Sequence, residues 1–204
     1  MIAETDGARG RFIVIEGLDG SGGTTQVRLL SQALAATATR EPTDGPIGKL
    51  IRQSLAEPML LGDGVLPYLF AADRKDHLER LIEPKLAAGV DVVSDRYLHS
   101  SLAYQSLAMP FEQVFALNAD FRAPDLCVML ELPVAQCLER IEARGQARDR
   151  FETEKQLVAI SEQYERVLAH LEARGDRILR LDASQSIKAL HKQILDAVQS
   201  LKGG

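Results

Sequence analysis

Along this chain, short unbroken apolar runs alternate with longer stretches in which apolar positions recur every three or four residues. That alternation predicts strands and helices in turn. Phe12 to Glu16 leans apolar throughout, as a buried parallel strand does. Thr24 to Ala38 follows with Val27, Leu29, Leu30 and Leu34 on one helical face. Ala38-Thr39-Arg40 leads to Glu41-Pro42, where proline biases its predecessor toward extended backbone, so a second strand ends there. Helices are predicted over about Ile47–Ala56 and Val65–Leu81, with a continuation or restart over Pro84–Ala88 and a stop at Gly89. Val90–Ser94 reads as a third strand, Ser100–Ser106 and Phe111–Asp120 as short helices, and Leu126–Leu132 as a fourth strand. Helix Val134–Arg144, long amphipathic helix Thr153–Arg174, strand Ile178–Asp182 and helix Ile187–Leu201 complete the order. Strands alternating with helices in this way predict one α/β domain, a five-stranded parallel sheet with helices on both faces.

Between the first strand and the first helix lies Gly17-Leu18-Asp19-Gly20-Ser21-Gly22, too glycine-rich for either element. Glycines let successive backbone N–H groups curl around phosphate oxygens, and the following helix N-terminus adds positive potential. The phosphate-loop pattern is G-x-x-x-x-G-K-[ST]. Here it reads Gly17, four residues, Gly22, Gly23, Thr24, so glycine stands where the pattern has lysine. Gly23 keeps the backbone cradle and drops the charge that normally reaches the β- and γ-phosphates. Taken alone, the stretch fits a tight strand-to-helix turn as well as a phosphate site.

Composition narrows the class. The chain has 204 residues, 46% of them hydrophobic, which suits one domain with a real core. Residues 1–10 read as a flexible tail, polar and acidic rather than a secretory signal. A net charge of -5 and a pI near 5.4 argue against a surface that coats nucleic acid, while allowing a local basic pocket. No run of about 20 apolar residues suggests a membrane span. Cys127 and Cys137 are too few and too isolated for a disulfide framework or zinc site, and read as reduced thiols in a cytoplasmic protein.

Phosphoryl transfer needs a phosphate cradle, magnesium, carboxylates near the acceptor and arginines where charge spreads. Asp95 follows the third strand, at the sheet edge where ligands bind in open α/β folds; a helix N-cap is its structural alternative. Arg96 beside it is a costly charge near a core unless it meets an anion. Arg144, Arg148 and Arg150 sit in a short polar segment between two helices, either a solvated cluster or a lid over residues 144–152.

At these residues the chain resembles the thymidylate kinases, which phosphorylate dTMP with ATP. The resemblance runs from Phe12 to the last helix through separate strings in order: IEGLDGSGGTTQ, TREP, FAADR, DRYLHSSLAYQS, ARGQARDRFE and LDAS. It implies a P-loop kinase fold in which Gly17, Gly20, Ser21, Gly22, Gly23, Thr24 and Thr25 hold ATP, and Mg2+ lies near Thr24 and Asp95. Phe70 would stack on thymine and Arg74 bond its carbonyl edge; core packing is the alternative for Phe70. Ser101 and Gln105 would meet the base, Tyr104 the deoxyribose, and Arg52 and Arg96 the dTMP phosphate. Asp19 and Asp95 would help position phosphates and magnesium, and Glu41 would support them. Gly20 with Arg144, Arg148 and Arg150 resembles the branch whose lid supplies the arginines. Arg148 and Arg150, with Asp19, Asp95 and Arg96, are thus the catalytic candidates. The family further implies a homodimer, while the charge and hydropathy of the chain predict no nucleic acid or membrane partner.

The chain departs from the pattern at Gly23, at Thr43-Asp44-Gly45 after TREP, and at Glu131 where an aspartate often ends the fourth strand. Two alternatives follow: a kinase for another pyrimidine nucleotide, and a nucleotide-binding homologue weakened by loss of the lysine.

Overall fold

A computed structural model describes residues 9–57, 60–143 and 153–201. Its five strands are β1 (Phe12–Gly17), β2 (Thr37–Arg40), β3 (Val92–Asp95), β4 (Leu126–Glu131) and β5 (Ile178–Asp182). They lie parallel in one sheet, in the order β2-β3-β1-β4-β5. β1 is buried along its whole length, as its continuous apolar run requires. The helices are α1 (Gly23–Leu34), α2 (Pro46–Ala56), α3 (Leu66–His77), α4 (Glu83–Ala87), α5 (Leu98–Gln105), α6 (Phe111–Asn118), α7 (Val134–Ala143), α8 (Glu154–Arg174) and α9 (Ile187–Ser200). They flank the sheet on both faces; α1 packs with α9, and α8 with α5 and α7. Because β1 is central and the chain leaves it in both directions, a crevice opens at the carboxyl ends of β1, β3 and β4.

Several boundaries differ from the sequence expectation. α1 stops at Leu34, not Ala38, because Ala35 turns left-handed at φ 51° and the chain then pairs with β3, Thr37 opposite Val92. Tertiary pairing overrides the helix propensity of Leu34-Ala35-Ala36 there. β3 begins at Val92 and includes Asp95, whose register partners are Ile15 and Arg40. From α3 the helix runs unbroken through a π-helical turn, Leu78–Ile82, into α4. The Glu83 N–H reaches back to Leu78 O directly before Pro84, which has no N–H to donate. α5 starts at Leu98, two residues before the expected Ser100. The expected tail falls mostly before residue 9, and the expected lid at 144–152, with Arg144, Arg148 and Arg150, lies outside the described residues.

Candidate active site

The glycine loop joins the carboxyl end of β1 to the first turn of α1, so the amides at the start of that helix face the crevice. Gly22 caps α1 in the left-handed region, at φ 103°. Gly20, at φ 89°, passes so close to α7 that a Cβ there would lie 2.6 Å from the Cys137 carbonyl oxygen. Both positions therefore need glycine. Gly23 is different. Its φ is not positive, and a Cβ would meet only Asp95 Oδ1 at 3.3 Å and Ile15 Cγ2 at 3.8 Å. The Thr24 hydroxyl donates to Asp95 Oδ2 across 2.6 Å. Asp95 is thus a strand residue facing the loop; the residue preceding α5 is Tyr97, so the N-cap alternative does not hold. A cavity of about 520 Å³ follows the loop, lined by Gly17, Asp19, Gly20 to Thr25, Glu41, Arg52, Asp95, Arg96 and Arg140.

A second, smaller cavity of about 140 Å³ adjoins it and shares Asp19, Glu41, Pro42, Leu55 and Arg96 with it. Phe70, Arg74, Ser101, Tyr104 and Gln105 all line this second space. Phe70 is half-buried and lines this cavity. Gln105 Oε1 is buried and has no hydrogen-bond partner among the described residues.

Between the cavities sits Arg96. Its backbone is left-handed at φ 70°, uncommon for a side chain of this size. The guanidinium donates to Asp19 Oδ1 at 2.9 Å and to the Tyr104 hydroxyl at 3.2 Å, and lies 5.0 Å over the Tyr104 ring. The Tyr104 hydroxyl in turn donates to Asp19 Oδ2. Burial pushes the Tyr104 phenol up, so it stays protonated at neutral pH, with Arg96 pulling the other way.

The Glu16 carboxylate lies beneath this group, fully buried at the end of β1. It accepts the N–H groups of Tyr97 and Ser100, the Ser100 hydroxyl and the Tyr164 hydroxyl. It therefore caps α5 from another element, a task no side chain within α5 performs. Burial pushes its carboxyl up, while the Arg96 charge and the bonds from Ser100, Tyr97 and Tyr164 pull it down. Sequence reading passed over Glu16, although a lone acid closing an apolar strand was a signal.

Arg74 differs most from its expected picture. It is fully buried and held by the protein itself. Nε and Nη2 donate to Glu41 Oε2 at 3.0 and 2.6 Å, Nη2 also to Ser101 Oγ at 2.9 Å, and Nη1 to Asn118 Oδ1. Four of its five N–H groups are thereby taken, which leaves one on Nη1. Arg52 donates to the Pro42 carbonyl and to Asp44, and Asp44 also binds Arg40. Asp73 of the FAADR string accepts the Thr43 N–H and hydroxyl at 2.7 and 2.6 Å, fixing the loop that carries Glu41 and Arg52's anchor.

Arg140, on α7, was also missed. It donates to the carbonyls of Gly20, Ser21 and Ala183 and so ties the glycine loop to the segment after β5. Nothing in its helical spacing marks it, nor does spacing mark Asn118. Among the described residues no cluster of three or more His, Cys, Asp or Glu suits a metal, and no helix is long and apolar enough to cross a membrane.

Residues 15–194 match the family model described as thymidylate kinase. A thymidylate kinase of Xanthomonas oryzae pv. oryzae is 38% identical over 203 residues, covering 96% of this chain and 87% of that protein. The solved structure of thymidylate kinase from Candida albicans superposes with a TM-score of 0.79 at 26% identity, covering 94% of this chain and 92% of that one.

Proposed function

The chain belongs to the thymidylate kinase family, transferring a phosphoryl group from ATP to dTMP, and from that premise we propose how its residues divide the work. The 520 Å³ cavity takes the ATP phosphates on the amides of Gly20 to Thr25, and the 140 Å³ cavity takes the thymine and deoxyribose. The observation that carries this division is the wall they share. Asp19 and Arg96 belong to both cavities, so the two reacting phosphates meet beside one guanidinium.

The second pKa of a phosphate monoester is about 6, so at neutral pH the attacking oxygen of dTMP is already deprotonated. The site needs no general base. It needs alignment and positive charge where the transferred group passes. Arg96 and Arg52 supply charge on the acceptor side, and Arg96 is aimed by Asp19 and Tyr104. Arg148 and Arg150 supply it from the lid segment. Phe70 stacks on the base, Ser101 and Gln105 meet its polar edge, and the Tyr104 ring closes against the sugar where a 2′-hydroxyl would sit.

Thr24 and Asp95 present two hard oxygens 2.6 Å apart at the loop, a fit for Mg2+, which keeps most of its shell for water and phosphate. When bound, the ion would offset charge on the β- and γ-phosphates. A cytoplasmic homodimer completes the proposal. Leu50, Leu60, Val65 and Tyr68 are exposed on and between α2 and α3, which pack on each other, and a second copy would cover them.

The test is release of ADP in a coupled assay, with and without dTMP, for the native chain and Gln105→Ala, a residue that lines only the smaller cavity. Release that depends on dTMP, with the variant raising the KM for dTMP but not for ATP, supports the division. Equal losses for both substrates refute it.

A further inference from the structure

We propose that His77 is a positioning residue for base recognition: through Glu41 it fixes the plane of the Arg74 guanidinium. The proposal rests on the reading of the smaller cavity as the thymine site. His77 itself lines neither cavity of the active site; it faces a groove behind β2.

The three side chains form one buried line, with Arg74, Glu41 and His77 only 1%, 2% and 3% exposed. Glu41 Oε2 is used up by the two bonds from Arg74. Its other oxygen, Oε1, lies 3.1 Å from His77 Nδ1. On the far side of the ring, Nε2 lies 2.7 Å from the Thr39 hydroxyl. A carboxylate facing Nδ1 requires a proton there, so in the neutral ring Nε2 accepts from Thr39. In the charged ring both nitrogens donate and the Thr39 oxygen accepts. Thr39 serves either form, and Glu41 stays anchored in both.

The consequence for Arg74 is geometric. Its Cζ lies 5.0 Å from the Tyr97 ring centroid and 5.8 Å from that of Phe121, contacts that leave the in-plane angle to the hydrogen bonds: Asn118 and Ser101 hold the outer nitrogens and Glu41 holds the Nε–Nη2 edge. Glu41 pins that edge, but a carboxylate held by one oxygen alone is free to swing about it. Glu41 also lines both cavities, so a swing takes its charge into substrate space and draws Arg74 after it. The Nδ1–H bond prevents this. Arg74 lines the smaller cavity, and its one remaining N–H, on Nη1, is then held at a fixed angle to it.

Two polar replacements of similar size separate this role from general packing. In His77→Asn the side-chain amide lies where Nδ1 was and can donate to Glu41. In His77→Gln the amide reaches toward Thr39, past Glu41. Titration calorimetry with dTMP and with ATP, on the full chain, is the measurement. His77→Gln is expected to raise the Kd for dTMP about tenfold, and His77→Asn to stay within about threefold of native, since a bond to a charged group is at stake in only one of them. ATP binding should shift less than about twofold in both, because the glycine loop does not touch His77. The same assay with dCMP, which offers an amino group where thymine offers a carbonyl, should show narrower discrimination in His77→Gln alone. Asn and Gln variants that behave alike, or equal weakening of dTMP and ATP binding, overturn the proposal. A native chain that binds ATP but not dTMP instead overturns the assignment of the cavity itself.

Discussion

Thr24 and Asp95, 71 residues apart in sequence, are joined by a 2.6 Å hydrogen bond directly beside Gly23. A Cβ at Gly23 would lie 3.3 Å from Asp95 Oδ1, so the carboxylate end must give by a few tenths of an ångström, a shift a side-chain end can make, and the φ of Gly23 is not positive. Gly23→Lys should therefore be accommodated. On the proposed reading the amide cradle holds phosphate without it, so the gain should fall on the transition state, where charge moves between the β- and γ-phosphates. Single-turnover rates are expected to rise about tenfold or more, with a smaller change in ATP affinity. An unchanged rate would mean that other cations, Arg148 and Arg150 foremost, already do what the lysine does elsewhere. Rates for Arg148→Ala and Arg150→Ala decide that point.

Arg74→Ala should do two things at once. It should remove measurable dTMP binding while leaving ATP binding nearly intact. It should also lower unfolding free energy by about 3–5 kcal/mol, because Glu41 stays buried with its main counter-charge gone. Denaturant melts of Arg74→Met, Glu41→Met and the pair measure the second effect. The pair should be more stable than the sum of the single losses predicts; simple additivity would show that the ion pair is not what makes the single variants weak.

His99 gives a pH prediction. It is fully buried on α5, neither ring nitrogen has a hydrogen-bond partner among the described residues, and burial lowers its pKa from 6.5 to about 3, with Arg74 and Arg174 adding to the shift and Asp176 opposing it. A base whose folded pKa is depressed stabilises the fold fully above pH 6.5. That contribution falls as pH drops from 6.5 toward 3, by up to about 1.4 kcal/mol per unit. Glu16, raised by burial, slopes the other way, so the native curve mixes the two. Glu16 Oε1 lies 3.7 Å from His99 Nδ1, so the difference between native and His99→Leu reports the histidine together with its coupling to Glu16. Melts from pH 7 to pH 4 should show the variant gaining on the native chain steadily as the pH falls; parallel curves would count against a neutral buried ring.

The exposed apolar residues of α2 and α3 predict association. Native chain at micromolar concentration should scatter light with the mass of two chains, and Tyr68→Asp, which puts a charge on a residue 56% exposed, should halve that mass without lowering the melting temperature. A native monomer removes the proposal of a dimer.

The fold was largely legible because its central strands β1, β3 and β4 are buried on both faces. Ile178–Asp182 has the bounds that its apolar run suggests, and Phe12–Glu16 is short by one residue. Boundaries failed where pairing decides: nothing local tells Thr37 to face Val92, and an alanine-rich run reads as helix until a neighbouring strand claims it. In the site, residues in loops and at strand ends were legible, since Asp19, Asp95 and Arg96 have no packing reason to be there. Residues doing polar work from apolar-looking faces were not. Tyr164 lies on the buried face of α8, where its spacing marks it only for packing, yet its hydroxyl reaches Glu16. Asn118 closes α6 and contacts Arg74 from 44 positions away, a meeting only the folded chain reveals.

Glu16 belongs to the strand that leads into the ATP loop, yet its hydrogen bonds go to α5 and α8, on the acceptor side. The two substrate halves are therefore not interchangeable parts. A chimaera that took its phosphate loop from one kinase and its acceptor helix from another, with the crossover anywhere between positions 16 and 97, would separate a buried carboxylate from the N–H groups it serves. In this chain position 16 works with the helix it caps rather than with the loop it precedes.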